Sequence, residues 1–205
     1  MPRWKRPYRD DAARYALVAV LLLALGACSV LKPAAASSTA TPRQSASARA
    51  PKGAPTDANI VAFLIAANST DIAYADQALA KSRDAEVRKF ATMTRMDHES
   101  VNKAVTTLAT RLKLKPVDAE ASFNLRDDAE ANRARLRDLD AFAFDSAYVH
   151  NEVAYNTSLL SALDATLVPA ARNADLKQLL LDVRPAIAAH LDHAEILAAK
   201  KSRRR

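Results

Sequence analysis

From Asp57 to the end, the chain has no glycine; its two glycines, Gly26 and Gly53, both come earlier. Strand-rich folds need turn glycines and alternating apolar patterns. Runs of β-branched residues are absent as well, while alanine is abundant, so this region is predicted to be all-α. The same absence removes any Gly-rich phosphate loop and any Gly-x-Ser-x-Gly nucleophile elbow. Cysteine occurs once, as Cys28, so no disulfide can form within the chain. A body of about 140 residues must then be held together by core burial, and that length is enough for one core. The single tryptophan, Trp4, falls in the N-terminal segment. No Ser/His/Asp order suggests nucleophilic catalysis.

The N-terminal segment carries Arg3, Lys5, Arg6, Arg9 and Arg14 ahead of the apolar run Ala16 to Leu25. A basic stretch, a short apolar run and small residues at its exit make a secretory signal. The run is too short to span a bilayer, which takes about 20 apolar residues. Leu25-Gly26-Ala27-Cys28 resembles the lipobox of a bacterial lipoprotein signal peptide. The resemblance implies residues 1–27 as signal peptide and Cys28 as a lipidated mature N-terminus, with more than one acyl chain for stable anchoring. Ala34-Ala35-Ala36 offers an ordinary signal-peptidase site as the alternative. Ser29, where an aspartate would suggest inner-membrane retention, points to the periplasmic face of the outer membrane.

The formal charge of +7 hides an uneven distribution. Residues 57–199 hold 16 basic and 21 acidic side chains, a net of −5, while the flanking segments are basic. Nucleic-acid binding needs a basic face on the folded domain and is therefore not expected. Residues 200–205, Lys-Lys-Ser-Arg-Arg-Arg, read as a solvated basic tail with an affinity for anionic lipid as the alternative.

Residues 28–56 are Ala, Ser, Thr and Pro with scattered bases and no apolar periodicity, which predicts a disordered tether with a reach of roughly 30 Å. Beyond it, helices are predicted at 57–81, capped by Thr56 or Asp57, and at 84–114, ended by Pro116. The stretch 124–168 contains neither Gly nor Pro and would be about 65 Å long as one helix. It divides into a connecting helix, 125–138 after Asn124, and a main helix, 141–167. Pro169 and Asn173 precede a last helix, 174–200, in which Pro185 is expected to produce a kink near Leu181. Four amphipathic helices with short connections make an antiparallel four-helix bundle over 57–199, with a short extra connecting helix.

Each apolar stripe is interrupted by polar residues. Asp71 lies between Ala67 and Tyr74 on the first helix. Thr94 and His98 lie between Phe90 and Val101 on the second. Asp145, Glu152 and Asn156 share a face with Tyr148 and Leu159 on the third. His190 follows Ile187 on the last. In an antiparallel bundle Asp71, His98, Glu152 and His190 fall at one level, and burying them requires partners or a metal. A buried polar network is one outcome. An iron, manganese or zinc site is the other, with Asp97, Asp145, Asn156 and His193 as further candidates. The Glu-x-x-His pairs of di-iron bundles are missing, because Arg95 and Ile187 stand three residues before His98 and His190.

The segments Glu86-Val87-Arg88-Lys89-Phe90-Ala91 to Met96-Asp97-His98, Phe144-Asp145-Ser146-Ala147-Tyr148-Val149, and Pro185-Ala186-Ile187 with His190-Leu191 to Ala194 resemble the exported bacterial domain-of-unknown-function family 4142. The resemblance covers about 60–197. It implies a ferritin-like four-helix fold and an exported, outer-membrane location, and it carries no activity. Asp71 stands where the family usually has Glu, Ala141 where it has Gly, and Asn156 where it has His. The expectation is a lipid-anchored envelope protein acting as a non-enzymatic binding or structural module, with the membrane and an unidentified envelope protein as partners. The alternative is a ferritin-like metal protein. A third reading is a partner-binding bundle that opens at Pro185.

Overall fold

The computed structural model describes residues 53–203. The expected signal peptide, Cys28 and the predicted tether up to residue 52 lie outside the described residues. Within them the protein is helical and contains no strand: α1 (Asp57–Lys81), α2 (Ala85–Arg111), α3 (Glu120–Arg137), α4 (Ala141–Ala162), a π-helical segment (Leu163–Leu167), a single turn α5 (Val168–Ala170), and α6 (Ala174–Ser202).

Local chemistry explains most of the helix ends. Thr56 caps α1 in a reciprocal box with Asn59. Asp84 accepts from the N–H groups of Glu86 and Val87 at the start of α2. Asn173 caps α6 in the same way. The Asp57 side chain reaches across the molecule to accept from the N–H groups of Arg172 and Asn173, at 2.9 and 3.1 Å. α3 begins at Glu120, earlier than the predicted Asn124 cap, because Ser122 folds back to accept from the Ala119 N–H at 3.0 Å.

Two boundaries differ from expectation for backbone reasons. α2 stops at Arg111, before Pro116 can act. Lys113 adopts a left-handed conformation (φ 55°), and Leu114 N–H donates to the Ala109 carbonyl at 2.9 Å. This is the helix-ending turn normally built on glycine, made here with lysine in a body that has none. Pro169 does not separate the helices as expected; it sits inside α5, and the chain breaks from helix only at Ala171. Pro169 has no N–H for the carbonyl four residues back, and the preceding turns are widened into the π segment.

The C-terminal basic residues also differ from the predicted tail. α6 continues to Ser202, so Lys200 and Lys201 belong to the helical body. Lys201 is buried, with its Nζ 2.5 Å from Asp84 Oδ2 and 3.8 Å from Asp145 Oδ2. Lys200 pairs with Glu86. The carboxylates at the start of α2 hold the end of α6 that free lysines would have let fray.

Helix packing runs in cyclic order. α1 lies on α2, α2 on α6, α6 on α4 and α4 on α1, while α3 covers α1 and α4. The side-chain pairs make each of the four contacts antiparallel: Arg95 with Asp76 and His98 with Asp71 (α2 and α1), Lys200 with Glu86 and Arg111 with Asp175 (α6 and α2), Tyr155 with Ala67 (α4 and α1), and Lys201 with Asp145 (α6 and α4). It follows that α2 and α4 run parallel. The chain must return along the whole body between them, and α3, about 27 Å long, does this.

The buried stripes match those read from the sequence, and a polar layer divides them. Ile60, Leu64, Val105, Leu163, Leu176 and Leu180 belong to one apolar cluster. Phe90, Phe144, Tyr148, Leu136 and Leu197 belong to the other. Between them lie Asn68, Asp71, Thr94, His98, Glu152, Asn156 and His190, all buried. α1 is long and apolar enough to cross a membrane, but most of its apolar stretch is buried inside this body. Lys113→Gly is expected to raise stability by about 1 kcal/mol by relieving the left-handed strain, checked by urea unfolding. No gain would mean that the turn is unstrained.

Candidate functional site

The polar layer is built from the middle of four helices. Asn68 and Asp71 are one turn apart on α1. Asn68 Nδ2 donates to the Leu64 carbonyl at 2.7 Å, which turns its Oδ1 toward α2. There His98 Nδ1 meets Asn68 Oδ1 at 2.7 Å. Because that oxygen only accepts, His98 carries a hydrogen on Nδ1. The other ring nitrogen, Nε2, is 2.8 Å from Asp71 Oδ2, at ion-pair distance but off the direction of a well-formed hydrogen bond. Asp71 is completely buried.

Glu152 approaches Asp71 from α4 and is itself fully buried. Glu152 lies near enough to Asp71 for each carboxyl group to act on the other. Asn156, one turn on, donates to the Glu152 carbonyl at 2.9 Å, and its amide lies 3.5 Å from Glu152 Oε2. On the remaining side, the His190 ring from α6 is tilted against His98 with centroids 5.3 Å apart. His190 Nε2 contacts Asp97 Oδ2 at 3.2 Å.

The two carboxyl groups are driven in opposite directions. Burial pushes Asp71 up, but the neighbouring His98 above all, with His190 and Glu152 adding to it, holds it below its ordinary value of 3.8. Glu152 is held well above 4.5 by burial first, then by the neighbouring Asp71. Burial also raises Tyr148 and Tyr155, with the Asp71 and Glu152 charges adding to the effect. The two carboxyl groups are thus pushed apart, Asp71 toward its charged form and Glu152 toward its neutral one.

Of the residues singled out from sequence, Asp71 and His98 are thus in direct contact, Glu152 and Asn156 meet in the same buried layer, and His190 with Asp97 lies beside His98. Asp145 lies apart, near Lys201 at the other end of α4. His193 stands edge-on to Phe90. Asn68, which sets the His98 ring, was not among them. The signal that could have found it is its position one turn before Asp71. Lys201 was assigned to a solvated tail, and nothing local in the sequence marks it as buried.

The metal alternative would draw on the inward-facing acids and histidines, and the buried Asp71 Oδ1 and Glu152 Oε1, without hydrogen-bond partners, are the atoms that favour one. Among the described residues, however, no group of three or more His, Cys, Asp or Glu side chains is arranged to hold an ion. Both His98 nitrogens face protein partners, His190 Nε2 faces Asp97, and Glu152 Oε2 faces the Asn156 amide. The arrangement does not fit a metal. The cavity beside these groups, lined by Leu64, Ala67, Asp97, His98, Ile187 and His190 among others, is about 20 Å³. That is room for about one water molecule.

A family model described as "Domain of unknown function (DUF4142)" matches residues 42–197. No curated protein and no solved structure matches the chain.

His98→Leu is expected to destabilise the protein by about 3–5 kcal/mol, because Asp71 is left buried without its cation. Combining it with Asp71→Asn should recover part of that loss, with a coupling of about 1–3 kcal/mol in a double-mutant cycle. Additive losses would show that the pair does not act as one. Asp71, held below 3.8, contributes stability that is present above that pH and lost as pH falls through its lower folded-state value.

Proposed function

The chain belongs to the DUF4142 family, and we propose that it is a lipid-anchored, ferritin-like four-helix protein of the bacterial envelope that acts as a non-catalytic binding or structural module. The observation that carries this reading is the core itself. The inward-facing acids and histidines are engaged with one another across α1, α2, α4 and α6, and the adjoining cavity holds about 20 Å³. Sites for small organic molecules run to hundreds of Å³.

The ferritin-like reading is supported by topology. Two antiparallel pairs, α1 with α2 and α4 with α6, are joined by one long crossover, the connection that distinguishes ferritin-like folds from bundles with short loops throughout. The anchoring rests on Leu25-Gly26-Ala27-Cys28 behind a basic segment and a short apolar run. Ser29 after the cysteine favours the outer membrane, with the helical body held near its periplasmic face by the tether. The acidic body gives no support for a nucleic-acid partner; a protein of the envelope fits this placement.

Envelope fractionation tests the anchor. The natural chain should incorporate labelled fatty acid and sediment with membranes, and Cys28→Ser should lose the label and move to the soluble periplasmic fraction. Unchanged membrane association of Cys28→Ser would overturn the lipoprotein reading.

A further inference from the structure

Five segments are bonded to one another at one end of the body. Lys201 reaches Asp84 and Asp145, and Lys200 pairs with Glu86. Arg88 donates to the Ser82 carbonyl at 3.1 Å, and Lys81 to the Leu136 carbonyl at 3.4 Å. The ends of α1, α3 and α6 and the starts of α2 and α4 therefore lie together. Residues 79–89, 133–145 and 198–203, which form this end, hold ten basic side chains against five acidic ones. At the opposite end Asp57 meets the loop before α6 and Arg111 pairs with Asp175. There residues 54–62, 108–120 and 162–176 hold four basic against five acidic. The acidic body thus concentrates positive charge at one tip.

Part of that charge is committed internally, since Lys81, Arg88, Lys200 and Lys201 hold carbonyls and acids of neighbouring helices. The rest faces outward. Among the described residues, Arg83, Lys89 and Arg203 are exposed and make neither an ion pair nor a hydrogen bond. The Lys200–Glu86 and Lys201–Asp84 pairs set the register of α6 on α2, and that register brings Arg83 close to the level of Arg203. Phe142 is 63% exposed and stands one turn nearer the tip than Asp145, which Lys201 faces. The exposed acids there are Asp138, 3.7 Å from Arg137, and Asp140, which caps α4. Unpaired bases beside an exposed aromatic ring suit an anionic lipid surface, where the charges meet headgroup phosphates and the ring enters the interface. A soluble polyanion would leave Phe142 in water.

We propose that this tip is a docking surface for anionic phospholipid, contacted through Arg83, Lys89, Arg203 and Phe142; the inference rests on the envelope location proposed above. The remainder of the body is net negative and is repelled by such a surface, so the molecule stands on it end-on. The predicted tether joins the body at the other end, beside Asp57, and α1 separates the two ends by about 38 Å. The protein then holds one membrane through its anchor and meets anionic lipid with the far tip.

The test places the full natural chain, isolated in detergent, in neutral phosphatidylcholine vesicles. Fluorescence cross-correlation then measures whether these capture a second vesicle population containing phosphatidylglycerol. Capture is expected at low salt, should fall steeply as salt rises, and should be absent when the second population is pure phosphatidylcholine. Arg83→Gln, Lys89→Gln and Arg203→Gln together should weaken capture about 100-fold. Phe142→Ser should weaken it about tenfold. Lys113→Gln, Lys115→Gln and Arg172→Gln together remove the same charge from the opposite end and should leave capture unchanged. No capture, or an equal loss in the two triple variants, would overturn the proposal. Protein-bearing phosphatidylcholine vesicles that capture one another would also overturn it, because the partner is then a second copy. The intact mass of the isolated chain reports acylation of Cys28 separately: an unacylated chain would overturn the anchor and leave vesicle capture to decide the docking surface.

Discussion

The contact between Asp71 and His98 determines how the rest of the core is arranged. It places a carboxylate and an imidazole, both almost wholly out of water, at the midpoint of the first two helices. Such a pair stabilises little by itself, since removing two charges from water costs about what their attraction returns. It does impose conditions on its surroundings. His98 needs an acceptor for Nδ1, and Asn68 provides it. Glu152 and Asn156 close the layer from α4, both fully buried. Sliding any helix by one turn would break these relations and bury unpaired polar atoms, so the layer fixes register where two large apolar clusters alone would allow several packings.

The ends of the body are fixed by the same kind of constraint. Asp57 ties the start of α1 to the loop before α6, and Lys201 ties the end of α6 to Asp84 and Asp145. α3 is attached differently. Its buried residues are few, Ser122, Ala129 and Leu136, and it is held partly by polar contacts such as Gln77 to the Arg133 carbonyl and Asn132 to Tyr74. It is a crossover first and a core element second, which explains why its sequence lacks a strong apolar stripe.

Much of the architecture was legible because it rests on periodicity. Stripe positions such as Val87, Phe90, Thr94, His98 and Val101 recur at helical spacing, and all of them are buried. Convergence of Asp71, His98 and Glu152 followed from antiparallel packing alone. Features that depend on distant partners were not legible. Lys201 is buried only because Asp84 and Asp145 stand opposite it, and a run of basic residues at a chain end otherwise reads as solvated. The α2 terminus was misplaced because Lys113 takes a conformation that sequence assigns to glycine. The choice between a metal site and a buried polar network was open because the same residue types serve both. It turns on whether His98 and His190 point toward a common centre, and here each is directed to its own acceptor, Asp71 and Asp97.

The most direct measurement is the unfolding free energy of the natural chain and of Asp71→Asn in urea from neutral to acid pH, with and without added zinc or manganese. If the Asp71–His98 contact orders the core, the natural chain should be the more stable at neutral pH and lose that advantage as pH falls through the lowered Asp71 value, by no more than about 1.4 kcal/mol per pH unit, and metal should change neither protein. A pH-independent difference, or a saturable metal-dependent gain in the natural chain that Asp71→Asn abolishes, would contradict it.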